Sequence, residues 1–585
     1  MCGIIGYVGK KNAIPILIEG LKNLEYRGYD SAGIAYIKDN KVIIKKEKGK
    51  IINLEKILNN DKSYIGIGHT RWATHGIPSQ NNAHPHLQGN ITLVHNGIIE
   101  NYEELKQELM DFGYAFKSET DSEVAAAYID YLDKKNNNLL KTLNECKNIF
   151  KGSYAFGIIK HDESDKIYTI RKDSPLIIGI GDNENFIASD MPAIIKHTNK
   201  YLLLDNDEIA ILSKNDVRVY NNLHQIKKDI QTFEGSISQA EKQGYEHFML
   251  KEINEQPEVI KNIISLYLNN NLDKLPDLTK YNKIDIVACG SAYHAGLVGK
   301  YLIEEYANIP VDVEIASEYR YKKLFIDNKT LVIAISQSGE TADTLASIRI
   351  AKEYHADTLG IVNVIGSSIA REVDNVIYIN AGCEIAVATT KAYLLQVLTL
   401  ILITYKHTNL NLDKDFNKLY EILNNLVKKS YLDIAKKLYK KEHIFFIGRN
   451  IDYAIALEGS LKLKEISYIS SIAYAAGELK HGSISLIEEN TPVIAIVTKK
   501  SIADKTISNI KEVKARGAYV LLVTTKDLDV ESDFYDDKIV IDNTYELLQP
   551  LLNIIPLQIL AYEIARLRGC DIDKPRNLAK SVTVE

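Results

Sequence analysis

The second residue of the chain is a cysteine, in the stretch Met1-Cys2-Gly3-Ile4-Ile5-Gly6-Tyr7. Removal of the initiator methionine would put a thiol and a free α-amino group on this one residue. An α-amino group titrates near pH ~7.7 to 8, so it could accept the thiol proton directly or through one water. Cys2 is therefore a candidate nucleophile that carries its own base. Taken alone, such a residue is more often an ordinary cysteine that opens an edge strand.

A second candidate site is the stretch Ser336-Gln337-Ser338-Gly339-Glu340-Thr341, which leaves a predicted buried strand and opens a helix. Three hydroxyls, a carboxamide and a glycine there predict an anion site without cations, because backbone N–H groups and the helix dipole face the ligand. A sugar phosphate fits such a site, and an ordinary Ser or Thr helix cap is the alternative. The chain has no GxxxxGK[ST] sequence, so a nucleotide triphosphate loop is not indicated.

A third group of chemically useful residues lies near residue 460. Glu458, Lys462 and Glu465 are spaced i, i+4 and i+7, which puts two carboxylates and an ammonium on one helix face. Leucines interleaved with them predict a substantially buried helix, and buried charges cluster at functional sites. An exposed salt-bridge ladder is the alternative. His481 follows in a glycine-flanked loop, a kind of segment that often carries function.

Composition limits the classes of protein that these residues can serve. The 585 residues exceed one hydrophobic core and predict three domains, and 45% hydrophobic with 25% charged residues is typical of a soluble protein. The net charge of −6 predicts no nucleic-acid partner. Five scattered cysteines without CxxC spacing predict neither a disulfide framework nor a zinc site, and favour a reducing, cytoplasmic compartment. The longest apolar run, residues 393–405, is too short to cross a bilayer and predicts a buried helix.

The elements that must position these residues change character along the chain. Residues 2–212 predict a mixed α+β region with helices at 102–112 and 122–134 and strands at 31–37, 65–69, 91–96 and 154–159. A polar stretch at 226–246 predicts a linker. Beyond it, a weak internal repeat predicts two α/β units with parallel sheets and ligand sites at the strand C-termini. Their predicted strands are 284–288, 330–336, 357–364 and 376–380, then 443–448, 492–498, 518–524 and 538–542.

Together these stretches resemble the glutamine–fructose-6-phosphate aminotransferase (isomerizing) family, or glucosamine-6-phosphate synthases, over essentially the whole chain. The resemblance rests on residues 2–9, 24–33 (LEYRGYDSAG), 69–76 (HTRWATHG), 95–97 (HNG), 336–341 and 575–585 (PRNLAKSVTVE). It implies an N-terminal nucleophile (αββα) glutaminase domain followed by two flavodoxin-like sugar isomerase domains. The implied boundaries are residues 2–218, a linker and helix at 219–273, domains at 274–414 and 434–575, and a tail at 576–585 that closes the sugar site.

The resemblance assigns roles in the glutaminase domain. Cys2 would attack the glutamine amide with its α-amino group as base, and Asn96 with the Gly97 N–H would form the oxyanion hole. Arg71 would bind the glutamine α-carboxylate and Asp121 its α-ammonium. The remaining implied residues are Thr74, His75 and Arg27, which complete the pocket, and Trp72, which gates an internal ammonia channel.

In the sugar isomerase domains the resemblance implies that Lys580 forms a Schiff base with the open-chain ketose. His481 of the neighbouring subunit would open the sugar ring, and Glu465 would move a proton between C1 and C2, positioned by Glu458 and Lys462. The implied phosphate and sugar contacts are Ser336, Gln337, Ser338, Thr341, Ser291, Val387 and Thr389. Neither a metal nor another cofactor is implied. The implied product is glucosamine 6-phosphate, toward UDP-N-acetylglucosamine in hexosamine biosynthesis, and the implied assembly is a homodimer without nucleic-acid or membrane partners.

Two departures and two alternatives qualify the resemblance. Cys289-Gly290-Ser291-Ala292 replaces the family's usual Cys-Gly-Thr-Ser, which predicts weaker sugar-phosphate affinity because one hydrogen bond is worth about 0.5 to 1.5 kcal/mol. Ser483 replaces a usual proline and predicts a looser turn. Other N-terminal-cysteine amidotransferases, such as asparagine synthetases or phosphoribosyl-pyrophosphate amidotransferases, do not account for the second half. A non-catalytic sugar-phosphate sensor or a glutaminase with another acceptor remains as an alternative function.

Overall fold

The computed structural model describes residues 2–72, 76–233, 241–269 and 271–582. The chain divides into two compact units, Met1–Glu241 with Ala579–Glu585, and Lys242–Leu578. Within the described residues no helix combines the length and the apolar character needed to cross a membrane.

The first unit is built from antiparallel strands. Its strands are β1 Gly3–Gly9, β2 Ser31–Lys38, β3 Lys41–Lys48, β4 Ile65–Arg71, β5 His86–Gln88, β6 Ile91–Ile99, β7 Gly152–Lys160, β8 Ile167–Lys172, β9 Ile177–Ile180, β10 Glu184–Ala188, β11 Lys200–Leu203, β12 Ile209–Leu212, β13 Val217–Asn221, β14 His224–Ile226 and β15 Gln231–Thr232. They form an eight-stranded sheet, β15-β11-β9-β10-β1-β4-β2-β3, and a seven-stranded sheet, β14-β13-β12-β8-β7-β6-β5.

Helices cover the outer face of each sheet in this unit. They are α1 Ala13–Leu24, α2 Ile51–Glu55, α3 Tyr102–Asp111, α4 Asp121–Asn136 and α5 Leu139–Ile149. Buried apolar residues of α1 pack on the first sheet and those of α3, α4 and α5 on the second. The inner faces meet in a third apolar cluster that includes Ile4 and Ile67 of one sheet and Val94 and Ala155 of the other. The result is an αββα sandwich, as the sequence analysis predicts.

Two five-stranded parallel sheets form the framework of the second unit. Their strands are β16 Lys283–Ala288, β17 Val311–Ile315, β18 Thr330–Ser336, β19 Asp357–Val362 and β20 Asn375–Tyr378, then β21 His443–Gly448, β22 Ser470–Ala475, β23 Pro492–Val497, β24 Tyr519–Thr525 and β25 Asp537–Ile541. The orders are β17-β16-β18-β19-β20 and β22-β21-β23-β24-β25. Counted within each repeat, both are 2-1-3-4-5, the flavodoxin-like order, and the predicted repeat of two parallel α/β units is confirmed.

Helices pack the two sheets of this unit into one apolar core. The helices are α6 Phe248–Leu268, α7 Gly290–Ala307, α8 Ala316–Tyr319, α9 Ala342–Glu353, α10 Ser368–Glu372, α11 Lys391–Tyr405, α12 Asp413–Leu426, α13 Leu432–Leu438, α14 Ile451–Ser467, α15 Ala503–Lys514, α16 Pro550–Asn553 and α17 Ile555–Leu567. Helix α7 of the first repeat packs on both α11 and α14. Helix α11 is buried from Lys391 to Thr404, which confirms the buried helix predicted for residues 393–405.

The structure adds elements that the sequence analysis does not predict. The edge strands β17 and β22 are half exposed and carry polar residues, so they lack the continuous apolar run by which the inner strands are recognised. Helices α1, α2 and α5 were also missed between the predicted strands. Strand pairing continues through β13, β14 and β15 to Thr232, past residue 218 and into the predicted linker.

Candidate active sites

Strand pairing places the Cys2 thiol beside the end of β4. In the antiparallel register of β1 and β4, Gly3 lies opposite Thr70, which brings Cys2 to the end of β4 beside Arg71 and Trp72. The Trp72 backbone N–H donates to Cys2 Sγ at 3.2 Å, and the thiol lies 3.5 Å from the Trp72 carbonyl oxygen. Burial raises the pKa of this thiol, and the nearby Arg71 guanidinium opposes that rise. Gly28 allows its own backbone to lie close to that of Arg71, because a Cβ at this position would lie 2.7 Å from the Arg71 carbonyl carbon.

The predicted oxyanion-hole residues come from β6, on the facing sheet. Asn96 is 4% exposed, and its Nδ2 donates to the Cys2 carbonyl oxygen at 3.0 Å and to Ser189 Oγ at 2.9 Å. Gly97 has φ +124°, and a Cβ there would meet the Ser153 carbonyl oxygen at 2.0 Å. Only glycine fits this position without strain. The structure therefore brings the predicted nucleophile and the predicted amide donor together.

Two further predicted residues place opposite charges near Cys2. Arg71 is the last residue of β4, buried, and its Nη2 donates to the Gly76 carbonyl oxygen at 3.2 Å. Asp121 is the first residue of α4, whose N-terminus is capped by Thr120, and its Oδ2 accepts from the Ile99 N–H at 2.9 Å. An acidic residue is stabilised at a helix N-terminus by the free N–H groups and the dipole. The pair could hold the two charged groups of an amino acid.

The other predicted residues of this pocket have different surroundings. Arg27 is buried and forms an ion pair with Asp190 at 2.7 Å, and the Tyr26 hydroxyl donates to the same carboxylate at 2.6 Å. Trp72 is half-buried, with its ring edge-on to Tyr29 at 5.9 Å. The predicted residues Thr74 and His75 lie outside the described residues.

Four buried histidines, none of them predicted as a site residue, lie behind Asn96. His69, His84, His86 and His95 are each at most 3% exposed. The rings of His69 and His84 stack at 4.0 Å, and His86 lies edge-on to His84 at 4.7 Å. Burial lowers the pKa of His69 to about 3, and burial also holds those of His84 and His86 well below their usual value. Neighbouring cations reinforce the shift, Arg71 at all three and Lys46 at His86.

In the second unit, the predicted phosphate loop joins β18 to α9 as expected. Ser336 Oγ accepts from the Gly339 N–H at 3.0 Å and lies 3.0 Å from Thr341 Oγ1, and Ser338 Oγ accepts from the Glu340 N–H at 3.2 Å. Gly339 has φ +65°, a conformation that glycine adopts without cost. The hydroxyls thus lie at the carboxyl end of a parallel strand and the start of a helix, where anions bind.

The Glu340 carboxylate does not face this anion site. It accepts from the Ser368 N–H at 2.9 Å and from the Ser368 hydroxyl at 2.7 Å, next to the start of α10. The negative charge of Glu340 is thereby stabilised by two hydrogen bonds from Ser368. The loop keeps its hydroxyls, Gln337 and backbone N–H groups as the groups suited to a phosphate.

Carboxylates also hold the loop that carries Val387 and Thr389. Glu252 Oε1 accepts from the Ile385 and Ala386 N–H groups at 2.6 and 3.1 Å. The Val387 N–H donates to the Asp573 carbonyl oxygen at 3.0 Å, so residues near the end of this unit also fix the loop. Ser291, in the first turn of α7, is half exposed, whereas Ala292 is buried in the core.

A buried chain of charges crosses between the two repeats. Lys462 Nζ lies 2.6 Å from Glu465 Oε2 and 3.5 Å from Glu458 Oε1, and Lys462 and Glu458 are fully buried. The other Glu458 oxygen lies 2.8 Å from His294 Nδ1 on α7. Burial by itself lowers the pKa of Lys462, but the Glu465 and Glu458 carboxylates raise it above its usual value. The predicted helix face is therefore a buried, compensated ion chain rather than an exposed ladder.

The last two predicted catalytic residues lie elsewhere. His481 follows a short helical turn, Glu478–Lys480, and is exposed, and its side chain makes no hydrogen bond or ion pair with any residue that the structure describes. Lys580 is half-buried and belongs to the first unit, whereas Glu458, Lys462, Glu465 and the phosphate loop belong to the second.

Several residues of these sites were missed by the sequence analysis. They are His69, Ser189 and Asp190 around the glutaminase residues, and His294 in the ion chain. His294 lies one helical turn after Gly290, the residue that starts α7, and this was its only signal in the sequence. Among the described residues, no group of three or more His, Cys, Asp or Glu side chains is arranged to hold a metal ion.

Comparisons with known proteins agree with the glutaminase and sugar isomerase fold assignments. The SIS domain family matches residues 277–404 and 437–568, and the glutamine amidotransferase domain family matches residues 69–196. A glutamine–fructose-6-phosphate aminotransferase (isomerizing) of Clostridium tetani is 50% identical over 100% of both chains, and one of Methanosarcina mazei is 47% identical over 100% of both. The C-terminal domain of the Francisella tularensis glucosamine-fructose-6-phosphate aminotransferase matches with TM-score 0.53 and 40% identity, over 57% of this chain and 99% of that one.

The neutral histidine cluster makes the first unit sensitive to acid. The folded pKa values of His69, His84 and His86 lie below the unfolded value of 6.5, so the unfolded chain binds more protons as pH falls. Stability is complete above pH 6.5 and is lost progressively as the pH falls, by roughly 2 kcal/mol at pH 5 from His69, with further losses from His84 and His86. We expect the urea midpoint followed by the fluorescence of Trp72, the only tryptophan, to fall accordingly.

Substitutions test this pH dependence. His86→Gln keeps a nitrogen that can contact Thr120 Oγ1 but cannot titrate, so it is expected to make the loss of stability between pH 6.5 and 5 smaller. The matched control His224→Gln changes an exposed histidine and is expected to leave the profile unchanged. A midpoint independent of pH in this range would contradict the expectation.

Removal of Lys462 is expected to destabilise the second unit strongly. Lys462→Met keeps much of the side-chain volume but leaves the buried Glu458 carboxylate and the half-buried Glu465 carboxylate without their cation, which costs about 3 to 5 kcal/mol. Lys464→Met, at an exposed position of the same helix, is the control. The measurement is urea unfolding followed by circular dichroism, which reports both units, and by the fluorescence of Trp72, which reports the first unit. The transition seen by circular dichroism alone is assigned to the second unit. Equal losses for the two variants would show that the ion chain is not needed for stability.

Proposed function

The chain belongs to the glutamine–fructose-6-phosphate aminotransferase (isomerizing) family, and we therefore propose that it transfers the amide nitrogen of glutamine to fructose 6-phosphate and isomerises the product. The products are glucosamine 6-phosphate and glutamate. The observation that carries the proposal is the pairing of the Cys2 thiol with the Trp72 backbone while Asn96 Nδ2 lies 3.0 Å from the Cys2 carbonyl oxygen. A sensor that only binds sugar phosphate has no use for this arrangement.

In the first step the Cys2 thiolate attacks the glutamine side-chain amide. The sulfur–carbon bond forms as the carbonyl π electrons move to oxygen, where Asn96 Nδ2 and the Gly97 N–H stabilise the negative charge. Collapse of this intermediate expels ammonia, which takes the proton that the α-amino group removed from the thiol. Water then cleaves the thioester and releases glutamate.

Charged groups select glutamine as the nitrogen donor. Arg71 binds the α-carboxylate, for which a planar guanidinium is suited, and Asp121 binds the α-ammonium. Thr74, His75 and Arg27 complete this pocket, the last through its ion pair with Asp190.

Ammonia has to reach the sugar without entering bulk water, because there it would be protonated and lose its nucleophilic electron pair. Trp72 is the proposed gate. Its backbone binds the thiol and its ring packs on Tyr29, so movement of residue 72 would link occupation of the glutamine site to the position of the ring.

The sugar phosphate is held without cations. Ser336, Gln337, Ser338 and Thr341 bind the phosphate at the start of α9, with Ser291, Val387 and Thr389 as further sugar contacts. The hydrogen bonds that Ser336 and Ser338 make within the loop support this assignment, because they fix the hydroxyls at the helix N-terminus before a ligand binds.

The carbon chemistry needs an amine, a ring-opening acid and a proton shuttle. Lys580 condenses with the C2 ketone and loses water, and ammonia then displaces the lysine from C2. Glu465 removes a proton from C1 and returns one to C2, while the C1 hydroxyl proton passes to the imine nitrogen, which converts the ketose imine into the amino aldose. The Lys462 ammonium, 2.6 Å from Glu465, stabilises the charged base, and Glu458 holds Lys462 in place.

The proposed assembly is a homodimer in which His481 of one chain opens the sugar ring in the site of its partner. The exposed position of His481, whose side chain makes no hydrogen bond with any described residue, supports this proposal.

The first test measures glutamate and glucosamine 6-phosphate formed from glutamine plus fructose 6-phosphate. Cys2→Ala is expected to abolish both products, because the nucleophile is lost, and to keep synthesis with ammonium replacing glutamine. Glutamate without amino sugar from the unaltered chain would indicate another acceptor. Amino sugar formed from glutamine by Cys2→Ala would exclude Cys2 as the nucleophile.

A mixing experiment tests the shared sugar site. Lys580→Ala and His481→Ala are each expected to be inactive with ammonium, since each removes one group from every site. Random exchange of subunits in an equal mixture restores about one quarter of the sites, because each mixed dimer has one site with both groups intact. Remixing each variant with itself is the control. No recovery after verified subunit exchange would place both groups in one chain.

A further inference from the structure

The buried histidine next to the oxyanion-hole amide has no role in the mechanism proposed above. His69 lies on β4, and its Nε2 is 2.9 Å from the His95 carbonyl oxygen and 3.1 Å from Asn96 Oδ1. Both neighbours are acceptors only, so Nε2 must carry the hydrogen. Burial lowers the pKa of His69 to about 3, and the ring is therefore a neutral donor at working pH.

This donor sets the direction of the Asn96 amide. With Oδ1 held by His69, the Nδ2 group faces the Cys2 carbonyl oxygen at 3.0 Å and Ser189 Oγ at 2.9 Å. Rotation of the amide by half a turn would put Nδ2 against a ring N–H and Oδ1 against the Cys2 carbonyl oxygen. Two favourable contacts would become two repulsive ones.

The His69 ring is itself held in a fixed plane. It stacks on His84 at 4.0 Å with an angle of 12° between the rings. His84 Nδ1 accepts from the His95 N–H at 3.2 Å, which ties that ring to the backbone of β6 immediately before Asn96. Strand β6 thus fixes His84, and His84 fixes the ring of His69. The His69 ring in turn donates to the Asn96 side chain, which belongs to β6.

We propose that His69 is a positioning residue for glutamine hydrolysis, which orients Asn96 so that Nδ2 donates to the oxyanion formed on attack by Cys2. His69 gains and loses no proton in the step, and the negative charge stays on the former carbonyl oxygen. The inference rests on the proposed glutaminase function and adds a residue to it.

Kinetics of two substitutions test the role. His69→Leu fills the space without a donor and is expected to lower kcat for glutamate release by about 10- to 100-fold, less than the ~10²- to 10³-fold loss of a whole oxyanion donor. KM for glutamine should change less than about twofold, since the interaction acts in the transition state. His69→Gln places an amide nitrogen at the same bond distance from the backbone and is expected to restore most of kcat. Equal losses for Leu and Gln, or a change confined to KM, would overturn the proposal.

A double-mutant cycle tests whether His69 acts through Asn96. His69→Leu combined with Asn96→Ala is expected to be no slower than Asn96→Ala alone, because the group that His69 orients is then absent. If the fold-losses in kcat of the two single variants multiplied in the double variant, the proposal would be overturned. Should His69→Leu fail to fold, His69→Asn, too short to reach Asn96, replaces it in the same cycle.

Two measurements separate positioning from general damage. Alkylation of Cys2 by iodoacetamide needs no oxyanion hole, so its rate should be the same in His69→Leu and the unaltered chain. Glucosamine 6-phosphate synthesis from ammonium should also be unchanged, and a parallel loss of either would overturn the proposal. Glutamate release by the unaltered chain tests the proposed glutaminase function, and the His69 variants test the positioning role. The two claims can therefore be refuted independently of each other.

Discussion

The antiparallel pairing of β1 with β4 is the constraint on which the glutaminase chemistry depends. It sets Gly3 opposite Thr70 and so brings the Cys2 thiol to the end of β4, beside Arg71 and the backbone of Trp72. A slip of one residue would turn every side chain of β1 to the other face of the sheet. The apolar residues of β1, such as Ile4 and Ile5, are fully buried on opposite faces, and this resists such a slip.

The second unit fixes its chemistry by burying charge rather than by pairing strands. An ammonium between two carboxylates is tolerated in an apolar core only when the geometry is held, because each ion loses its hydration. Here α14 supplies Glu458, Lys462 and Glu465, and α7 of the other repeat supplies His294 at 2.8 Å. The ion chain therefore needs both sugar isomerase repeats, which explains why a single α/β repeat would not suffice for this arrangement.

The sequence predicts best those parts of the sites whose residues lie close together in the chain. The phosphate loop and the face of α14 follow from spacing within a few residues, and the inner strands from continuous apolar runs. The edge strands β17 and β22 were missed because half-exposed strands lack that run. His69 and His294 were missed for another reason: their partners are 27 and 164 residues away, and only the sheet register and the packing of α7 on α14 bring them together.

Burial has opposite outcomes for the charge of a key side chain in the two units. His69 in the first unit is buried and neutral, and Lys462 in the second is buried and charged. Stabilising an oxyanion requires donors of fixed direction, and a histidine kept neutral by burial can fix the direction of such a donor because it presents a single N–H to Asn96 Oδ1. The second unit instead keeps an ammonium charged in its interior, because the Glu465 and Glu458 carboxylates lie 2.6 and 3.5 Å from Lys462 Nζ and raise its pKa. Burial removes charge from His69, whose Nε2 contacts a carbonyl oxygen and an amide oxygen, whereas two carboxylates preserve the charge on the equally buried Lys462.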